Sequence, residues 1–185
     1  VTGNENTFVR YFSNAAFTTG AEGRKGATLE NQYVKNGDTI MGNMPSGIIE
    51  GVTSNTFYFS ATDNRGYTTR DALVRTLIPY IKLTCNVTTE ELTPLGELTV
   101  TVSGKYYNGS FGAMQNSLEI EYALEENGGD ISWYPLGLIT PEVDDEGNYS
   151  YTFTITGLNH ESRYNLIVNA IDELMPQPST AYKVI

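Results

Sequence analysis

Three stretches carry side chains able to do chemistry. Tyr106, Tyr107 and Phe111 surround an Asn108-Gly109 turn. Flat aromatic faces in a loop suit a pyranose, and Asn can hydrogen-bond its hydroxyls; the same rings can instead pin a long interstrand loop to its own domain. Glu142, Asp144, Asp145 and Glu146 offer the oxygen ligands that Ca²⁺ prefers, but not at EF-hand spacing, and a solvated turn is the competing reading. His160 is the sole histidine, so a Ser-His-Asp arrangement would have to run through it, and a solvent-facing loop position is expected instead. Nothing singles out two carboxylates for paired hydrolysis, and no nucleophile elbow, P-loop or dinucleotide fingerprint is present. The chain reads as non-enzymatic, with no cofactor.

The lone cysteine, Cys85, can form no intrachain disulfide and no thiolate cage. Its apolar strand setting predicts a buried, inert thiol, with a reactive or intermolecular role as the alternative. Trp133, the only tryptophan, is expected in core or half-buried edge packing, with an exposed ligand platform as the alternative.

These residues need strands to position them. In the stretch Phe57 to Leu83, Phe57, Phe59 and Ala61 alternate with Tyr58, Ser60 and Thr62, the period of a half-buried strand. Asp63-Asn64-Arg65-Gly66 supplies a turn, and Tyr67 to Ile78 runs back as the second arm of a hairpin. Pro79 fixes φ and removes a ladder donor, which makes Ile78-Pro79-Tyr80 a joint rather than part of a central strand. Two tandem antiparallel β-sandwich modules follow, 1–79 and 80–185, joined by a short linker. Before the joint, Thr7 to Phe12, Ala27 to Val34 and Ile48 to Val52 have strand character and Asn36-Gly37 reads as a hairpin turn, whereas Thr39 to Pro45 fits no element. That gives five or six strands in the first module, with an edge strand expected upstream of Val1. After it, Ile81 to Val87, Glu97 to Gly104, Ser117 to Leu124, Ile131 to Leu136, Tyr149 to Ile155, Arg163 to Ile171 and Thr180 to Ile185 give seven short strands. No stretch has helical periodicity, so almost no helix is expected.

The formal charge of −11 is unevenly placed. Residues 1–80 hold seven acids and seven bases; the remainder holds 15 acids and 4 bases, so the whole excess belongs to the second module. Such a surface repels phosphate backbones and anionic lipid, which argues against nucleic-acid and membrane partners. No apolar run is long enough to span a bilayer. The opening Val1-Thr2-Gly3-Asn4-Glu5 lacks a signal-peptide pattern, and a chain beginning with Val is expected to be a fragment or processed form.

A weak internal repeat links the modules: Phe57 to Asp63 matches Leu166 to Asp172, and Glu50-Gly51-Val52 answers Thr156-Gly157-Leu158. Both copies end in Ala-x-Asp, where a carboxylate can cap the following turn. Gly157-Leu158-Asn159-His160-Glu161-Ser162-Arg163-Tyr164 resembles the E–F corner of fibronectin type III domains. The resemblance implies that the Tyr164 hydroxyl bonds to backbone a few residues upstream, with Leu158 in the same structural corner. The first module lacks a tyrosine at the equivalent place and is expected to be immunoglobulin-like. Larger pieces resemble the minor structural or tail-tip proteins of long-tailed phages and prophages of Gram-positive bacteria. They are Phe8 to Ala15, Lys25-Gly26-Ala27, Ala61 to Thr69, and Gly104-Lys105-Tyr106-Tyr107-Asn108-Gly109-Ser110-Phe111-Gly112 with Asn116-Ser117-Leu118. That resemblance implies a virion component in the phage tail or tail fibre, working outside the cell in host-surface attachment. Its implied partners are other virion tail proteins and host cell-wall polysaccharide. A trimer in the parent protein is one arrangement it implies, and two monomeric sandwiches would read the same. A carbohydrate-binding module and an inert spacer of a surface enzyme are the rival readings.

Overall fold

The computed structural model describes residues 6–174 and 177–185, and among them every regular element is a β-strand. The segment 1–5, in which no signal-peptide pattern is visible, lies outside the described residues. The chain divides into two compact units. One comprises residues 6–80 with Phe111–Met114, and the other Ile81–Ser110 with the described part of Gln115–Ile185.

The first unit contains β1 (Thr7–Val9), β2 (Ala15–Thr18), β3 (Leu29–Asn36), β4 (Thr39–Gly42), β5 (Ser46–Ile49), β6 (Thr56–Asp63), β7 (Thr68–Val74) and β8 (Thr76–Ile78). The expected count of five or six strands is therefore corrected to eight among the described residues. Thr39–Gly42 pairs with β3 despite its exposure, and the run Tyr67 to Ile78 is two strands. β7 pairs antiparallel with β6, whereas β8 leaves that sheet to pair in parallel with β1. The sheet β4-β3-β6-β7 faces the ribbon β2-β5 across a core of Ala15, Val34, Ile49, Val52 and Phe57. The β3–β4 turn is Gly37-Asp38; Asn36 is the last strand residue and is buried. Its amide donates to the carbonyls of Ser54 (2.7 Å) and Thr56 (3.2 Å), and its Oδ1 accepts from the backbone N–H groups of Thr53 and Ser54. A buried polar side chain is tolerated when all its groups are paired, as here.

The second unit contains β9 (Asn86–Thr89), β10 (Leu98–Lys105), β11 (Ser110–Phe111), β12 (Met114–Gln115), β13 (Leu118–Glu126), β14 (Ile131–Ile139), β15 (Glu142–Val143), β16 (Asn148–Ile155), β17 (Tyr164–Asp172) and β18 (Ser179–Val184), the tip of the β11–β12 ribbon grouping with the first unit. Two four-stranded sheets, β15-β16-β10-β9 and β14-β13-β17-β18, pack face to face. The alternation Leu98, Val100, Val102 meets Leu118, Ile120, Leu166, Val168 and Ala170 in the core. Each fully buried Leu, Ile or Val there contributes about 1.5–3 kcal/mol. The first strand is Asn86–Thr89, later than the expected Ile81 to Val87. β6 and β17, the two copies of the sequence repeat, each occupy the third position of a four-stranded sheet in the same strand order. Both units are immunoglobulin-like antiparallel β-sandwiches, and the chain is all-β.

Three turns share one construction. In Asp63 to Tyr67, Thr93 to Glu97 and Asp144 to Asn148, the first side-chain oxygen accepts the backbone N–H of the fifth residue, at 3.0, 3.0 and 2.8 Å. The fourth residue is a glycine at φ 83°, 76° and 77°, a conformation only glycine takes without strain. At Gly96 a side chain is doubly barred, since a Cβ would collide with the Leu158 carbonyl.

Candidate functional site

The aromatic loop buries two of its three rings. Tyr106 is buried and its hydroxyl donates to the Asn116 carbonyl oxygen at 2.9 Å, with its ring edge-on to Tyr149. Burial, with the negative charges of Asp172 and Glu173 nearby, pushes the Tyr106 hydroxyl up to about 12. Tyr107 is half-buried and covers Gly109, where a Cβ would strike its ring; burial raises its hydroxyl as well. Phe111 is 1% exposed and belongs with the first unit, where its ring lies 5.9 Å from that of Tyr80. Only Asn108 of this set is exposed. A sugar cannot stack on a ring face that protein already covers, and the burial of Tyr106 and Phe111 favours the alternative expected for this loop, rings that hold it in place.

The Tyr164 corner is built as a clasp. Its hydroxyl accepts the Asn159 backbone N–H at 2.8 Å, the ring is buried, and Leu158 packs against the core while its N–H bonds to Gly96. His160 is exposed in the turn between them.

The acidic turn is internally engaged. Asp144 Oδ1 accepts the N–H groups of Glu146 and Asn148, and Oδ2 accepts the Asn148 amide at 2.7 Å. That amide bond, ahead of the backbone bonds, holds the Asp144 carboxyl below the usual carboxylate range. Among the described residues no group of three or more His, Cys, Asp or Glu is placed to hold a metal ion. Cys85 is half-buried, and burial pushes its thiol up to about 11.

Two surfaces lie outside these expectations. In the first unit an open cleft of about 800 Å³ is lined by Thr19, Gln32, Phe59, Asp63 and Arg65 among others. Four of its polar side chains are engaged in pairs: Thr19 donates to Gln32 Oε1 at 2.9 Å and Arg65 pairs with Asp63 at 2.8 Å. In the second unit Trp133 stands on the edge strand β14, 47% exposed and directly opposite Ala123. Of the two placements expected for Trp133, core or half-buried edge, the structure shows the edge; alternation alone could not choose between them, because Ile131, Trp133 and Tyr134 put apolar side chains on both faces of one strand.

No protein-family model matches the chain, and no curated protein matches it. Among solved structures the chain is similar to the crystal structure of Dpr2 Ig1-Ig2 in complex with DIP-Theta Ig1-Ig3, with a TM-score of 0.31 and 10% identity over 97% of this chain and 60% of that one. The chain therefore spans about 60% of that chain's length. So low a score carries no argument, and the immunoglobulin-like character rests on the strand order and core described above.

Proposed function

We propose that this chain is a non-enzymatic structural and adhesive part of a phage tail or tail fibre, contributing to attachment at the host surface alongside other virion tail proteins. The observation that carries the adhesive part is the outward face of the sheet β14-β13-β17-β18, where Ile131, Trp133, Tyr182 and Val184 are all at least 47% exposed on one β-sandwich. Exposed aromatic and aliphatic side chains gathered on one face mark an interaction surface. The phage assignment is supported by the resembling segments, which fall in both units. The non-enzymatic reading is supported by the solvent-facing His160 and by an acidic turn whose Asp144 is spent on its own backbone. Antibody raised against the chain should decorate the tails of intact purified virions from the encoding phage or induced prophage. Absence of label, with the protein recovered only free in the medium, would sink the tail assignment.

A further inference from the structure

Directly opposed residues of an antiparallel pair share one face of the sheet. On the outward face of β14-β13-β17-β18, Trp133, Ala123, Ile167 and Tyr182 therefore form one row across all four strands. Ala123 is fully buried beneath its neighbours and Ile167 half-buried, while Trp133 and Tyr182 are 47% and 74% exposed. The row is a shallow trough with an aromatic ring at each end, roughly 14 Å apart at about 4.8 Å per strand. On one side lies the pair Glu125–Asn165, bonded at 2.9 Å. On the other lies Glu121–Asn169, bonded at 2.7 Å, with the Thr180 hydroxyl on Asn169 at 2.6 Å. Each bond takes one carboxylate oxygen and fixes the other as an acceptor beside the trough. With Glu119 the face carries three carboxylates, and none of the residues its strands turn outward is a lysine or arginine.

We propose that this face binds a linear polysaccharide free of acidic groups, neutral or built of amino sugars, lying along the Trp133–Tyr182 row. The inference rests on the adhesive reading above and names its ligand class. Exposed rings suit pyranose faces, and acceptors fixed on both sides suit hydroxyls or ammonium groups. Charge selects among the possible occupants. A polyanion is repelled, and a second copy would set three carboxylates against three. A folded protein partner needs a broad apolar centre, whereas here Glu125 and Asn165 on one side and Glu121 and Asn169 on the other interrupt the apolar surface about 7 Å from the trough.

The test uses the purified chain with hexamers of β-1,4-linked glucose, N-acetylglucosamine and glucosamine, and hyaluronan as the polyanion. Trp133 is the only tryptophan, so its fluorescence reports directly on the site. At least one non-acidic hexamer should bind saturably and shift that emission, calorimetry should match, and hyaluronan should do neither. Trp133→Ala and Tyr182→Ala should each weaken the calorimetric affinity about tenfold. Both side chains are exposed, so the melting temperature should stay within a few degrees. Three results would overturn the proposal: no hexamer binds, binding survives both substitutions, or sedimentation reveals a self-association that either substitution removes. Purified oligosaccharides need no virion, so glycan binding without tail labelling refutes the tail assignment alone, and tail labelling without glycan binding refutes the ligand class alone.

Discussion

The Tyr106 hydroxyl and the Asn116 carbonyl oxygen are joined by a 2.9 Å hydrogen bond across the base of the aromatic loop. The Asn116 side chain extends the clasp: its amide donates to Tyr107 O at 2.8 Å and Asp172 Oδ2 at 3.3 Å, and its Oδ1 accepts the Glu173 N–H at 3.2 Å. One buried asparagine thus ties the loop to the end of β17.

Replacing Asn116 by Ala removes three bonds and leaves buried partners with fewer donors. The expected loss is about 2–3 kcal/mol, read from the urea midpoint at unchanged slope. A loss below about 0.5 kcal/mol would remove Asn116 as the clasp.

Phe111→Ala should destabilise by about 3–5 kcal/mol, because the ring is buried beside Tyr80. Thermal unfolding measures this; a substitution tolerated within a degree would return the ring to the role of a surface ligand platform.

Tyr164→Phe keeps the buried ring and deletes only the acceptor for the Asn159 N–H. About 1 kcal/mol of stability should be lost. If Tyr164→Phe matches the parent protein in denaturant, the corner bond contributes nothing.

Two carboxyls make acid the sensitive direction. Asp63 is held below its ordinary value chiefly by the Arg65 side chain, and Asp144 chiefly by the Asn148 amide. A depressed folded pKa gives stability that is present above the unfolded value of about 3.9 and lost as pH falls through the folded one. Melting temperature followed from pH 6 down to about pH 2 should fall less steeply in Asp63→Asn and Asp144→Asn than in the parent; parallel curves would contradict the assignment.

On the alkaline side the sign reverses. The Cys85 thiol is raised to about 11, so its contribution is complete below the unfolded thiol value of about 8.5 and is lost as pH rises towards 11. At about pH 8 thiol reagents should label Cys85 slowly in the folded chain and rapidly in denaturant. Equal rates would place the thiolate at the surface.

Alternation made much of this legible before any coordinates. Leu98, Val100 and Val102 read as one buried face and Asp63 to Gly66 as a turn, because each depends on neighbours a few residues away, whereas the corner at Tyr164 came from the resemblance to fibronectin type III domains. The burial of Phe111 was not legible: it depends on Tyr80, which lies 31 positions earlier in the chain. Nor was the exposed row through Trp133. A register shift between Ile120 and Glu121 decides which residues of β14 oppose which of β13, and the edge position of β14 decides that Trp133 meets solvent. The parallel pairing of β1 with β8 leaves no periodic trace, since it joins segments about 70 residues apart.

That same pairing sets how the first unit responds to tension. Thr7, Phe8 and Val9 lie beside Thr76, Leu77 and Ile78 in parallel, and flanking bonds run from Thr76 N–H to Asn6 O and from Arg10 N–H to Ile78 O. A pull applied between residue 6 and residue 80 drags the two strands in opposite directions along their length. The bonds between them are then strained together in shear, whereas a hairpin pulled at its open end would unzip one rung at a time. The first sandwich is thereby fastened against stretching at the two ends through which force would enter it.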